Sequence, residues 1–294
     1  MHLRLTLLFF VLTTAAFAYD QAELNNGKQL FQKRQLPEAK AAFEKLAAAE
    51  PNNAELNYWL GLTALSMNNH EAAVRYLEKA AASDASQARY HHELGDAYGV
   101  SAQKASMFSK MGLAKKCLAA YDKAVAIEPD NIEYHKSRYE FYRAAPSMVG
   151  GGMDKAMAEV AEIEKRDPIQ GASLRADIKL KEKKPDEAFA ILDELSKKFP
   201  DNQVLRYQFG RLAAMTDLRL DEGEAALKDY TTYSPKPGEP PLWAAHWRLA
   251  QILEKKGAKA EACVQYEETL RLNPAFDRAR EALKRLEATS TGKS

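Results

Sequence analysis

The sequence predicts an all-α solenoid, a stack of about seven helical hairpins that ends in a capping helix. Three observations carry this prediction: a period of 34 residues, small residues at fixed places in the period, and a proline near its end. In the first period these places hold Gly27, Ala39, Phe43, Leu46 and Pro51. In the second they hold Gly61, Ala73, Leu77, Ala80 and Ala85, and the third brings Gly95. Stacked hairpins of this kind offer a groove rather than a catalytic cleft.

Each repeat is predicted to form two antiparallel helices joined by a tight turn. Small residues such as Gly61 and Ala73 are expected where the two helices cross, because small side chains let the backbones approach. Leu77, four places later, shares a helix face with Ala73 and is expected to pack over the crossing. A proline such as Pro51 ends the second helix, since the residue before proline avoids helical geometry.

The repeats are followed by a cap and a tail. The seven repeats are predicted at residues 20–53, 54–87, 88–131, 132–168, 169–202, 203–242 and 243–276. A capping helix is predicted at 277–288, because an open stack must cover its last apolar face, and a disordered tail at 289–294.

Two repeats and one connector depart from the regular pattern. Repeat three carries ten additional residues within 99–116, and the absence of proline there predicts longer helices rather than a loop. Repeat four has a glycine-rich turn at 146–152, which predicts positive φ angles, and Tyr139 at the glycine place, which predicts more widely separated helices. The proline-rich segment 235–241 predicts a stiff connector after repeat six.

The first 18 residues predict a cleavable signal peptide. Arg4 precedes an apolar run over residues 5–14, and Ala16 and Ala18 supply the small residues that signal peptidase requires. The alternative is an uncleaved membrane anchor, but the run is short for spanning a bilayer. The protein is therefore expected to be exported, periplasmic or secreted, with no integral membrane span after cleavage.

Charge and cysteine content exclude further classes. Removal of Arg4 with the signal leaves 41 basic and 41 acidic residues. A dedicated nucleic-acid binder needs surplus positive charge, so no nucleic-acid partner is expected. Cys117 and Cys263 are expected at the small-residue place that Ala39 occupies in repeat one, and the repeats between them place them too far apart for a disulfide.

The repeat pattern resembles the tetratricopeptide repeat (TPR), whose signature combines Leu-Gly, a downstream aromatic residue, alanines and proline. Leu94, Gly95 and Tyr98 carry it in repeat three, and the resemblance covers residues 20 to about 288. Segments 98–116, 145–152 and 235–241 are also similar to a group of uncharacterised exported bacterial TPR proteins. The resemblance implies a right-handed α-solenoid that binds a protein or peptide partner and is not an enzyme. No cofactor is expected. No metal is expected either, because the adjacent His91 and His92 point apart on a helix and His70, His135 and His246 lie in other repeats.

The same resemblance implies a groove lined by fixed positions of each first helix. The implied partner-binding residues are Tyr58, Leu62, Arg89, His92, Asp96, Lys136, Glu140, Arg143, Tyr207, Arg211, Trp247 and Gln251. They mix both charge signs with rigid aromatic side chains, which suits a peptide or protein segment, because Arg and aromatic residues carry most binding energy in interfaces. The alternative is that they are ordinary solvated side chains.

The predicted function is a non-catalytic scaffold or adaptor for protein–protein interaction in the cell envelope. One alternative is a subunit of an envelope assembly that docks through the long helix of repeat three, around Met107, Phe108 and Met111. Another is a hydrolase using Ser101 and Lys104, although the companion motifs of that chemistry are absent from the sequence. A binder of a small ligand such as a glycan or lipid is a further alternative. The sequence specifies neither the partner's identity nor the oligomeric state.

Overall fold

The computed structural model describes residues 21–291 of the chain, with side chains described through residue 288. The predicted signal peptide lies outside the described residues, as do residues 292–294. Between residues 21 and 291 all regular structure is helical and no β-strand occurs.

The helices follow one another as seven hairpins and a final helix. The first helices of the hairpins are α1 (21–32), α3 (Ala54–Ser66), α5 (Ala88–Lys104), α7 (Ile132–Ala144), α9 (Pro168–Lys181), α11 (Gln203–Thr216) and α13 (Leu242–Lys255). The second helices are α2 (Leu36–Ala49), α4 (His70–Ser83), α6 (Met107–Ile127), α8 (Met153–Arg166), α10 (Pro185–Lys198), α12 (Leu220–Thr231) and α14 (Lys259–Leu272). The last helix is α15 (Asp277–Thr291). The predicted all-α fold class is confirmed.

The chain forms two compact bodies, an N-terminal body that ends at Glu159 and a C-terminal body that begins at Val160. In the N-terminal body the predicted helix crossings are closely packed, and Ala73 and Leu77 are fully buried. A Cβ atom on Gly61 would lie 2.5 Å from Cγ of Leu77, and one on Gly95 would lie 2.5 Å from the ring of Tyr121. Glycine at these places therefore allows the two helices of a hairpin to touch.

A polar side chain recurs at one place near the start of several helices, which we call the donor position. There it donates a hydrogen bond to the backbone carbonyl six residues earlier, in the turn from the preceding hairpin. The pairs are Asn57 with Pro51 (3.0 Å), His91 with Ala85 (3.1 Å), His135 with Pro129 (2.7 Å), Arg206 with Pro200 (3.3 Å) and Arg280 with Pro274 (2.6 Å). In α13 the equivalent His246 contacts Gln265 instead, and the Tyr230 hydroxyl donates to the Pro240 carbonyl at 2.5 Å. Each of these turn carbonyls thus accepts a hydrogen bond from a side chain, which ties the turn to a neighbouring helix.

The additional residues of repeat three lengthen both of its helices, as predicted. Helix α5 has 17 residues and α6 has 21, and only Ala105 and Ser106 separate them. The glycine-rich turn of repeat four contains a short 3₁₀ helix, Ser147–Val149, and its Gly150 and Gly152 have φ angles of +103° and +153°. The prediction of positive φ angles in this turn is confirmed.

Pro168 differs from its predicted role. The sequence suggested that it ends repeat four, but it is the first residue of α9. The Asp167 carboxylate caps this helix by accepting hydrogen bonds from the backbone N–H groups of Ile169 (3.0 Å) and Gln170 (2.9 Å). Proline suits this position because the first helical N–H has no partner within the helix.

Two smaller details also differ from the prediction. In α14 the small-residue place is held by Ala262, which is fully buried, and Cys263 is the next residue and only partly buried. Cys117 does occupy that place in α6 and is buried, and both cysteines are free thiols. Helix α15 continues to Thr291, three residues beyond the predicted end of the cap at residue 288.

Candidate partner-binding surfaces

In the N-terminal body the first helices of three hairpins bring the predicted groove residues side by side. The rings of Tyr58 on α3 and Tyr90 on α5 are 5.0 Å apart. On α5, His92 packs at 4.8 Å against Tyr134 of α7, and its Nε2 lies 2.8 Å from the Ser137 hydroxyl. These contacts join α3, α5 and α7 into one surface, the N-terminal wall. Its predicted partner-binding residues are Tyr58, Leu62, Arg89, His92, Asp96, Lys136, Glu140 and Arg143.

Arg89 is the most open cation of this wall. Its guanidinium lies 5.2 Å from the ring centre of Tyr58 and 5.1 Å from that of Tyr90. It forms no ion pair with any described residue. Tyr58 itself is only 9% exposed, and burial raises the pKa of its hydroxyl to about 12. The Tyr58 ring therefore packs against the Arg89 guanidinium, and little of the ring surface is left for contact with a partner.

His92 and Asp96 form a hydrogen-bonded brace between α5 and its neighbours. The Tyr121 hydroxyl donates to Asp96 at 2.5 Å, and burial raises the pKa of the Asp96 carboxyl despite this bond. Burial alone would lower the pKa of His92, but the Glu93 carboxylate, 3.9 Å from its Nδ1, and the charge of Asp96 outweigh it and raise that pKa. Ligand atoms of His92, Glu93 and Asp96 lie within 4.8 Å of one another. The imidazole and the Asp96 carboxylate are already engaged by Ser137 and Tyr121, so this cluster serves as a brace.

The two predicted groove cations of α7, Lys136 and Arg143, are paired along their own helix. Lys136 Nζ lies 2.9 Å from a carboxylate oxygen of Glu133, and Arg143 pairs with Glu140. Pairs of this kind on an exposed helix surface contribute about 0–1 kcal/mol. They can therefore be exchanged at little cost for pairs with an incoming chain.

An apolar cleft opens where the lengthened hairpin α5–α6 meets α7, and we call it the extension cleft. Its volume is about 750 Å³, which is in the range of ligand-binding pockets. Its apolar lining includes Ala102, Met111, Ala114, Phe141 and Val149. Its charged lining includes Asp96, Lys136 and Glu140 of the wall. The sequence did not predict a cavity here, although the alternative docking surface that it suggested includes Met107 and Met111, which line the cleft.

In the C-terminal body the predicted groove residues lie on α11 and α13. Tyr207 is buried against Tyr230, with ring centres 5.3 Å apart. Arg211 donates to Asp177 at 2.5 Å. Trp247 packs at 5.3 Å against Tyr266, and with Gln251 it lines a second cavity of about 500 Å³. We call this surface the C-terminal wall.

Arg248 belongs to the C-terminal wall although the sequence did not single it out. Its Nη1 donates to the Gln251 side chain at 2.9 Å, and among the described residues no carboxylate forms an ion pair with it. Burial lowers the pKa of Arg248, and the positive charges of Arg211 and Arg278 add to that effect. The sequence could have indicated this cluster, because Arg211, Arg248 and Arg278 lie on three helices, α11, α13 and α15, that the predicted repeats place near one another.

Comparison with known proteins identifies the fold. Residues 30–94 match the family model described as tetratricopeptide repeat. A tetratricopeptide repeat protein from Parabacteroides merdae is 15% identical, has a TM-score of 0.60, and aligns over 91% of this chain and 98% of its own. The chain has the tetratricopeptide-repeat fold. The crystal structure of yeast Tom70 is also similar, with 15% identity and a TM-score of 0.65 over 88% of this chain and 52% of its own. No curated protein sequence matches the chain significantly.

The TPR fold is a framework for protein–protein interaction, because stacked repeats create extended binding surfaces. Every helix in the described part of the chain is too short or too polar to cross a lipid bilayer. Of the hydrolase candidates, Lys104 is engaged by His70 at 2.9 Å, and the Ser101 hydroxyl oxygen is buried without a hydrogen-bond partner among the described residues. The geometry of this pair does not present a serine nucleophile to solvent.

Proposed function

We propose that the protein is a non-catalytic scaffold or adaptor that binds a segment of another protein on its walls, and that the segment carries acidic groups. One observation carries the proposal: Arg89 and Arg248, one on each wall, form no ion pair within the described chain and lie beside aromatic residues. The rings of Tyr58 and Tyr90 orient the Arg89 guanidinium, and the Gln251 side chain orients that of Arg248. The planar guanidinium of each arginine matches the geometry of a carboxylate.

The energetics favour an acidic partner. Arg248 is poorly solvated and close to two other arginines, so a carboxylate that reached it would remove like-charge repulsion as well as gain an ion pair. Loss of one member of a desolvated, hydrogen-bonded charge pair costs about 2–5 kcal/mol of affinity. Arg89 is exposed, and its pair with a partner carboxylate would contribute less because solvent screens it.

The site of action in this proposal is the cell envelope. The apolar run over residues 5–14 and the small residues Ala16 and Ala18 support export. Fractionation of cells that express the full chain, with N-terminal sequencing of the product, tests this part. A periplasmic or secreted product that begins at Tyr19 is expected, and a cytoplasmic product that retains Met1 would contradict it.

The binding proposal is tested by crosslinking capture from the native envelope fraction, followed by affinity measurement with the identified partner. Arg89→Glu and Arg248→Glu are each expected to weaken binding about tenfold or more, or about 1.4 kcal/mol. Arg75→Glu is the matched control, because Arg75 is also exposed and lies 5.3 Å from the ring centre of Tyr76, but on the second helix α4. Unchanged affinity in both wall variants, with unchanged helical circular dichroism, would contradict the proposal.

A second candidate function is supported by the lengthened hairpin of repeat three. Met107 is 74% exposed, Phe108 86% and Met148 70%, and large apolar side chains exposed together mark interaction surfaces. This patch favours docking of the protein on another polypeptide through the start of α6.

A further inference from the structure

The start of α6 carries a projecting apolar group. Ser106 precedes the helix, and Met107 and Phe108 follow as its first two residues. Phe108 is the most exposed large apolar side chain in the described chain, at 86%. Because Phe108 belongs to the first turn of a 21-residue helix, the helix fixes its backbone and its side chain projects from there into solvent. We call Met107 and Phe108 the knob.

The extension cleft begins directly beside the knob. Met107 and Met111 line it from α6, and Phe141 and Met148 line it from the other side. Phe108 is not part of the lining, and its exposure shows that it does not fold back into the cleft of its own chain. One continuous patch therefore contains both the projecting Phe108 side chain and an apolar cleft. Phe108 does not fill the cleft of its own chain.

A patch with this composition is self-complementary. In a two-fold symmetric dimer the same surface faces itself, so each copy must supply both the projecting group and the cavity that receives it. We propose that a second copy of this chain occupies the extension cleft, with Phe108 of each copy inserted into the cleft of the other. The inference deepens the second candidate function and does not depend on the wall arginines.

The charges around the cleft fit the same pairing. Lys110 on α6 lines the cleft and forms no ion pair with the described residues. On the α7 side, the side chains of Glu133 and Glu140 are 67% and 55% exposed. In a two-fold dimer that places α6 of one copy on α7 of the other, Lys110 would pair with these carboxylates in exchange for their weak surface pairs with Lys136 and Arg143. The formal net charge of the whole chain is only +1, so two copies do not repel each other at long range.

The oligomeric state of the protein purified from cells expressing the full chain gives the first test. Light scattering and sedimentation velocity are expected to show a dimer. Phe108→Glu is expected to raise the dimer dissociation constant at least 100-fold, because it places a carboxylate in an apolar cavity. Met67→Glu is the matched control, since Met67 is an exposed methionine of the same body outside the cleft lining, and it is expected to leave the dimer intact. A monomer at all concentrations, or a dimer that Phe108→Glu leaves unchanged, overturns the proposal.

A photo-crosslink identifies the occupant of the cleft. Benzoylphenylalanine at position 108 is used in a mixture of ¹⁵N-labelled and unlabelled chains. Crosslinks between a labelled and an unlabelled peptide that contain cleft residues 102–114 or 141–149 support the proposal. Crosslinks only within one chain overturn it, as does a native mass spectrum of a monomer carrying a lipid. Because Phe108→Glu leaves Arg89 and Arg248 in place, partner binding by this variant separates failure of the dimer from failure of the wall proposal.

Discussion

The close contact at Gly95 allows a quantitative test of how the repeats pack. In a helix interior, Gly→Ala is expected to stabilise by about 0.8–1.0 kcal/mol, because alanine has the higher helix propensity. At Gly95, however, the new methyl group would lie 2.5 Å from the ring of Tyr121. That ring is buried, and its hydroxyl is held by Asp96 at 2.5 Å, so it cannot move aside freely. Overpacking of this kind costs about 1–3 kcal/mol.

Gly112 provides the matched reference. It lies in the interior of α6, and a Cβ there would have no atom within 4 Å. The propensity gain is shared by Gly95→Ala and Gly112→Ala, so the difference between them isolates the overlap with Tyr121. We expect Gly95→Ala to be less stable than Gly112→Ala by about 1–3 kcal/mol. At about 2–4 °C for each kcal/mol, the two melting temperatures should differ by about 2–12 °C.

Urea unfolding followed by circular dichroism at several concentrations measures this difference, and an unchanged m-value shows that the same cooperative unit unfolds in both variants. If Gly95→Ala proves as stabilising as Gly112→Ala, the hairpin can open without cost, and the explanation of the glycine position by close helix approach is wrong.

Three further predictions concern titration, buried charge and thiols. Because the pKa of His92 is raised in the fold, its charged form stabilises the protein below about pH 6.5, and this stability is lost as the pH rises through the folded pKa. Asp96→Asn should lower the pKa of His92 in an NMR titration. An unchanged pKa would contradict the interaction between His92 and Asp96. Glu159→Ala should lower the free energy of unfolding by about 3–5 kcal/mol in urea, because it leaves His135 and Arg138 of α7 without their buried carboxylate partner. A loss below about 1 kcal/mol would show that water replaces the lost carboxylate. Burial raises the pKa of the Cys117 thiol to about 12, so Ellman's reagent should label Cys263 first and Cys117 only after unfolding; equal rates would contradict the burial of Cys117.

The periodic part of the fold could be predicted from the sequence because it depends on local chemistry that repeats. A close helix crossing needs a small residue on each helix and a larger residue packed over it. Gly61, Ala73 and Leu77 are residues of this kind at the predicted places. The same reasoning depends on counting the period correctly. Ala39 is the twentieth residue of repeat one, and the twentieth residue of repeat seven is Ala262, so the period itself gives the place that the structure shows, and the assignment of Cys263 was one residue out of register.

The candidate site was less predictable because it depends on contacts between repeats. The position of Tyr58 on its helix suggested an open aromatic face, but Tyr90 of the next hairpin covers the ring. Arg248 could be identified as a candidate only from the structure, which places it close to Arg211 on α11 and Arg278 on α15. The extension cleft depends on how far the α5–α6 hairpin reaches beyond α7, which residue periodicity does not encode.

The donor position has a consequence for recognising such repeats. Asparagine, histidine and arginine share neither size nor charge, yet each performs the same task of closing a turn with one N–H group. Different repeats of this chain therefore use different residues for the same joint between consecutive hairpins. A search profile that scores the place by its capacity to donate, and not by amino-acid identity, would find related joints in chains whose sequences have diverged beyond ordinary alignment.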